Sequence, residues 1–349
     1  MDFSRYQRYL ARMQKRHSAF HGDAANFRKL VRVCVDTFRP VTEPLVLISQ
    51  IQRSGGSLLS QLFDGHPQLH AHPHELKIGH PKKNNWPPIE LSDRPERWFD
   101  ILFEETSIRL FHEGYKKERL STTTYPFIFL PALQKRIFLT YLKGIEACRP
   151  RDVFNAYMTS YFGAWVNNQN YSGTKRAVTG FTPRVADDEP NVERFFAVYP
   201  DGRLISILRN PKNWFPSASR HNAKIKKDKY GEIRQALEQW RTCAQAIVRN
   251  QSRYGERVCV LRFEDLVQST GRVMRRLADF IGIEFDEILL VPTFNRCPIQ
   301  ANTSFDNHES GIIQGTLARH QALTSAEHDI IEEMTNDVYQ TALGCALAV

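Results

Sequence analysis

Two short segments of this 349-residue chain carry groups suited to holding a phosphate-like anion. The first is Arg53-Ser54-Gly55-Gly56-Ser57. Glycines let backbone N–H groups approach an anion closely, and the start of a following helix favours negative charge. Ser54 and Ser57 add hydroxyls, and Arg53 adds a positive charge. A Walker loop needs G-x-x-x-x-G-K-[ST]. Here both the spacing and the lysine are missing, which disfavours a nucleoside triphosphatase. The second segment is Arg209-Asn210-Pro211, with Ser217 eight residues later and Arg220 beyond it. A guanidinium forks onto phosphate oxygens, and a serine hydroxyl adds a contact. Taken singly, the first segment is moderately specific, with a structural glycine turn as its alternative, and the second is weak, because a strand-end arginine is often part of a structural ion pair.

A third segment offers proton-transfer groups: His66-Pro67-Gln68-Leu69-His70-Ala71-His72-Pro73-His74-Glu75-Leu76-Lys77. Glu75 and His74 are groups that could act as a general base. His70, His72 and His74 alternate and would share one face of a regular strand, a pattern that also suits a metal ion. Pro73 interrupts the run, and no metal is expected.

The surrounding elements place these groups at strand ends. Leu45 to Ile51 is a continuous apolar run, as in a buried parallel strand. The Gly-rich turn follows it, and then Leu58, Leu59, Leu62 and Phe63 fall at helical spacing. Residues 203–208 form a second apolar strand that runs into Arg209, and 258–261 form a third that ends at Arg262-Phe263-Glu264-Asp265. Helices are expected over about 153–168, 231–251 and 269–281. Strands alternating with helices predict an α/β fold, a central parallel sheet flanked by helices. We expect a single domain over 1–349: a basic helical segment at 1–40, a core at 45–320, and an irregular 76–135 stretch covering an acceptor site.

Composition narrows the class. Hydrophobic residues make up 42% of the chain, enough for a large core, and the net charge is +9. Residues 1–40 hold nine Lys/Arg against three Asp, and a second basic cluster is Arg220, Lys224, Lys226, Lys227 and Lys229. Both favour anionic partners such as a nucleotide or a glycan. No apolar run is long enough to span a membrane. Arg5, Arg8, Arg12, Lys15 and Arg16 break up the N-terminus as a secretory signal, so a cytoplasmic protein is expected. The six cysteines have no metal-binding spacing and are expected to be reduced and mostly buried.

Together these segments resemble the sulfotransferases that use 3′-phosphoadenosine 5′-phosphosulfate (PAPS), over about residues 45–320. The likeness is to the Golgi-type, tyrosylprotein and bacterial branches. It implies a P-loop-like fold in which Arg53 to Ser57, with Leu58, hold the 5′-phosphosulfate, and Arg209 and Ser217 hold the 3′-phosphate. Leu261 to Leu266 resembles the family's R-Y-E-D-L, so Phe263 would supply an aromatic face to adenine. Ser304 and Arg319 keep the spacing of a late donor-binding pair. The resemblance implies a hydroxyl or amine acceptor and no nucleic acid, and the basic 220–229 cluster hints weakly at an anionic or glycan-like one. It also exposes a departure: Phe181-Thr182-Pro183-Arg184 stands where many relatives carry Lys-Thr-Pro, so Lys77, Arg184 or Arg53 must supply the missing cation. The alternatives are a P-loop-like kinase and a catalytically inactive nucleotide- or polyanion-binding protein with the same fold.

Overall fold

The computed structural model describes residues 7–8, 24–79, 85–115, 124–225, 232–299 and 311–348. Phe3, Tyr6, Tyr9, Leu10 and Met13 of the expected N-terminal helix lie outside them, as do Ser304 and the lysines at 226, 227 and 229. Two compact units form: Met1–Glu43 with Lys77–Tyr171, and Pro44–Leu76 with Ser172–Val349.

The first unit is helical, with helices at Ala24–Thr37, Pro95–Leu102, Glu105–Glu113, Pro131–Lys143 and Pro150–Ala164. Three of them open on proline, whose missing N–H costs nothing in a first turn. The Pro150–Ala164 helix is the one expected from Phe154, Tyr157, Tyr161 and Phe162, and it is buried along nearly its whole length. Trp86 stacks on Phe154, with centroids 4.8 Å apart. Within this aromatic core the carboxylate of Glu104 is buried and accepts hydrogen bonds from the Lys77 N–H (2.7 Å) and the Tyr157 hydroxyl (3.0 Å).

The second unit contains the expected sheet. Its strands are β1 (Leu45–Ile48), β2 (Leu69–Glu75), β3 (Ala177–Phe181), β4 (Arg203–Leu208) and β5 (Val258–Arg262). They lie in the order β2-β3-β1-β4-β5, and every pair is parallel. Helices Gly56–Phe63, Glu189–Val198, Pro211–Ile225, Ile233–Tyr254, Thr270–Ile281 and Ser325–Leu343 accompany it. β1 ends at Ile48 rather than Ile51, because Ser49 and Gln50 leave the sheet to enter the Gly-rich turn. From β1 the chain turns towards β2 on one side, whereas β4 leads to β5 on the other. The carboxyl ends of the adjacent strands β1 and β4 therefore border the switch point, where open α/β sheets place ligands.

None of the six cysteines is in a disulfide. Only Cys243 and Cys259 are buried, so the expectation that most would be is corrected: the other four are partly exposed. No helix among the described residues is long and apolar enough to cross a membrane.

Candidate active site

Both candidate anion-binding segments emerge at that switch point. The Gly-rich turn follows β1, and Arg209 directly follows β4. The turn is tied down through its carbonyls. Those of Gln50, Gln52 and Arg53 accept from the Arg184 N–H (3.0 Å), Trp214 Nε1 (2.8 Å) and Arg209 Nη1 (2.6 Å). With its carbonyls so engaged, the turn is left to present N–H groups. The Leu59 N–H bonds the Gly55 carbonyl (3.0 Å) and closes the first turn of the Gly56–Phe63 helix. The N–H groups of Gly56, Ser57 and Leu58 then have no intrahelical acceptor. The Leu58 side chain belongs to the core, so only its backbone can serve a ligand. Ser54 is fully buried, and its Oγ has no partner among the described residues.

Both glycines are required by their surroundings. Gly55 has φ +96°, and a Cβ there would lie 2.5 Å from the Phe263 ring. A Cβ on Gly56 would meet Gln50 Nε2 at 2.1 Å and Phe181 Cε2 at 2.3 Å.

Arginines converge on this turn. Arg209 is buried and donates to the carbonyls of Arg53 and Thr316, the latter at 3.3 Å. Its Nε has no partner among the described residues. Burial pushes its pKa down to about 9, with further lowering from Arg319 and Arg53 and an opposing pull from Glu264. Arg319 Nη1 donates to Ser217 Oγ (2.8 Å), joining two of the expected donor residues across 102 positions of sequence. Burial brings Arg319 down to about 10, helped by Arg53 and Arg220. Both values stay above neutral pH, so the guanidiniums remain charged and repel one another. A site held in this state is relieved by an anion.

Phe263 packs against both Arg209 and the turn. The guanidinium of Arg209 lies over its ring at 4.3 Å, its edge bears on Gly55, and it is 4% exposed. The ring therefore supports the turn and shields Arg209. Arg184 is also committed elsewhere: Nε pairs with Asp187 Oδ2 at 3.0 Å, and Nη1 donates to Gln239 at 3.2 Å. Lys77 belongs to the helical unit, one residue past the boundary.

Glu75 ends β2. Its Cα partner on β3 is Phe181, whose partner on β1 is Ile48. Two strand spacings of about 4.8 Å separate Glu75 from the exit of β1. His74 Nδ1 lies 2.8 Å from the Glu75 carbonyl. A carbonyl only accepts, so Nδ1 carries the proton and Nε2 keeps the lone pair.

The regular alternation of the three histidines is interrupted within β2. Ala71 pairs with Thr179 but Glu75 pairs with Phe181, so four residues of β2 advance against two of β3. Pro73 has no N–H for the ladder, and the strand bulges around it. The His72 ring instead turns edge-on to His74, with centroids 4.5 Å apart.

His70 has its pKa pushed down to about 4, by burial first and by Lys175 second. An unfolded histidine takes up a proton near pH 6.5. The unfolded state therefore binds more protons between these values, and stability falls as pH drops from about 6.5 towards 4. Denaturant titrations should show wild type losing up to about 3 kcal/mol more than His70→Asn between pH 7 and 4. Parallel losses would rule His70 out as a source of acid sensitivity.

Several residues of the site were not singled out from sequence. Glu264 is buried, and its Oε1 accepts from the Asn210 N–H (3.2 Å), tying the end of β5 to the end of β4. Burial raises its pKa against the pull of Arg209. Asn213 accepts from the His320 N–H (3.1 Å) and holds the Gln314–Ala322 turn that carries Arg319. Gln50 is buried against the turn. The acidic residue of the R-F-E-D-L run was a visible signal for Glu264, whereas nothing local marks Asn213 or Gln50.

Comparison with known proteins identifies the family and the fold. Residues 44–287 match the family model described as "Sulfotransferase family". The sulfotransferase domain of the Synechococcus PCC 7002 olefin synthase superimposes with a TM-score of 0.53 at 18% identity, covering 90% of this chain and 98% of that one. The sulfotransferase domain from the curacin biosynthetic pathway gives 0.47 at 19% identity, covering 85% and 99%. Mouse sulfotransferase SULT7A1, complexed with PAP, gives 0.41 at 11% identity, covering 90% and 94%. No curated protein matches in sequence. With a family match running from the residue before β1 to beyond β5, well over half of its length, the chain belongs to the sulfotransferase family.

Proposed function

We propose that this protein binds PAPS and transfers its sulfuryl group to a hydroxyl or amine acceptor. One observation carries the reading: the charged guanidiniums of Arg53, Arg209 and Arg319 crowd a turn whose buried Ser54 hydroxyl lacks a partner among the described residues. These groups fit a multiply charged anion. Arg53, Ser54 and the N–H groups of Gly56, Ser57 and Leu58 would hold the 5′ end. Arg209, Ser217 and Arg319 would hold the 3′-phosphate, with Ser304 a further expected contact.

When bound, the donor supplies the reacting group: its sulfur bonds to the acceptor oxygen or nitrogen as the S–O bond to the 5′-phosphate breaks, leaving adenosine 3′,5′-bisphosphate. Positioning and charge stabilisation dominate such in-line displacements. Glu75 takes the acceptor's proton, and His74 Nε2 is the second choice. Arg53 is the cation at the reacting end, because Arg184 is paired with Asp187. Lys77 is the remaining candidate. The basic residues from Arg220 to Lys229 favour an anionic or glycan-like acceptor.

Calorimetry separates this from a kinase. Adenosine 3′,5′-bisphosphate should bind at micromolar or tighter concentrations, and ATP should bind much more weakly. Tight ATP binding without bisphosphate binding would overturn the proposal. Bisphosphate binding with no sulfation across an acceptor panel would instead indicate an inactive binding protein, the reading that Phe181 favours.

A further inference from the structure

The side chain of Gln50 is 2% exposed, yet neither its Nε2 nor its Oε1 has a hydrogen-bond partner among the described residues. Leaving a buried polar group unsatisfied costs about 1–3 kcal/mol, so native structures rarely keep one without a reason. The backbone does not supply that reason, since the Gln50 carbonyl is already bonded by the Arg184 N–H at 3.0 Å. The position of the side chain does. The amide nitrogen sits against Gly56, so close that a Cβ there would lie 2.1 Å from it. Gly56 is the first residue of the helix whose first N–H groups lack intrahelical acceptors. Phe181 presses on the same glycine from β3 and brings no polar atom to that corner.

We infer that Gln50 is a donor-binding residue: its amide NH2 hydrogen-bonds the phosphosulfate end of the donor. This rests on the reading of the site as a PAPS site. A neutral amide donates hydrogen bonds to the anion without adding to the repulsion already present among Arg53, Arg209 and Arg319. The inference also accounts for the cost of the unpaired amide, because the ligand satisfies what the fold leaves open.

The test uses full-length protein, with PAPS and adenosine 3′,5′-bisphosphate each titrated in the calorimeter without acceptor, and thermal melts of the unliganded protein. Gln50→Leu keeps the bulk and removes the unsatisfied atoms. Its unliganded melting temperature should equal or exceed that of wild type, while its affinity for PAPS falls roughly tenfold to a hundredfold, the range for a hydrogen bond to a charged group. Gln50→Glu, nearly the same shape but negative, should lose more affinity than Gln50→Leu. Unchanged PAPS affinity in Gln50→Leu would overturn the assignment and leave the donor reading standing. So would a Gln50→Leu protein that melts lower than wild type and loses affinity only in step with its stability. Failure of wild type to bind either nucleotide would overturn the donor reading itself, and the assignment with it.

Discussion

Glu75→Gln should leave bisphosphate affinity within about twofold of wild type and slow sulfuryl transfer by about 10²–10⁴, the usual contribution of a positioned general base. The expectation follows from where β2 ends. Glu75 closes the strand two places from β1, in register with Phe181, which itself contacts Gly56 of the anion-binding turn. The substitution keeps size and hydrogen bonding but removes the ability to take a proton. Donor binding, carried by the arginines and the turn, should not change. His74→Asn is the control, because His74 Nε2 keeps a lone pair once Nδ1 is bonded to the Glu75 carbonyl. Full turnover in Glu75→Gln together with lost turnover in His74→Asn would move the base by one residue. Full turnover in both would remove this segment from the chemistry.

The second large effect is at Arg209. Arg209→Met should weaken bisphosphate binding by about 10²–10³, as expected for removing a buried, hydrogen-bonded charge from a binding site. Its effect on the unliganded fold should be much smaller, because two terms oppose each other. Burial holds the Arg209 pKa down at about 9, so keeping the buried guanidinium charged costs up to about 5 kcal/mol. Against that, the substitution strips a donor from the carbonyls of Arg53 and Thr316, at about 1–3 kcal/mol each. The sums are of similar size, so the melting temperature should move by no more than several degrees while affinity collapses. Calorimetry and a thermal melt on the same sample would show this separation. Retained affinity would show that Arg209 holds the turn and does not touch the ligand. Arg209 and Gln50 then share a logic: each is kept in an unfavourable state that an anionic ligand would relieve.

Much of the site was legible in the sequence because its parts are local. A glycine pair after an apolar run makes a strand, turn and helix, and an arginine after a second such run stands at a strand end. These short-range patterns located Arg53 to Ser57, Arg209 and the R-F-E-D-L segment, and the strand at Arg203–Leu208 appears with the expected bounds. They also gave the parallel sheet. β3 was harder to see, because Ala177-Val178-Thr179-Gly180-Phe181 is short, carries a glycine, and becomes a strand through its two neighbours.

What only the tertiary structure decided is which groups meet. Arg319 reaches Ser217 across 102 residues, and Arg209 holds the Arg53 carbonyl across 156. Phe263 lies under Arg209 and beside Gly55, so a ring that its motif suggested for adenine packs on the turn. The histidine alternation looked like one face of a regular strand, but the strand shifts register around Pro73, and the His72 and His74 rings meet edge-on. The Arg53–Ser57 turn, visible first, is sharpened the most. Its sequence specified glycines and hydroxyls near an anion. Its packing added the crowded guanidiniums and two buried polar side chains, Ser54 and Gln50, with no partner among the described residues. Local sequence sets backbone shape through sterics and hydrogen-bonding pattern, whereas charge repulsion and unsatisfied burial exist only once distant segments pack together.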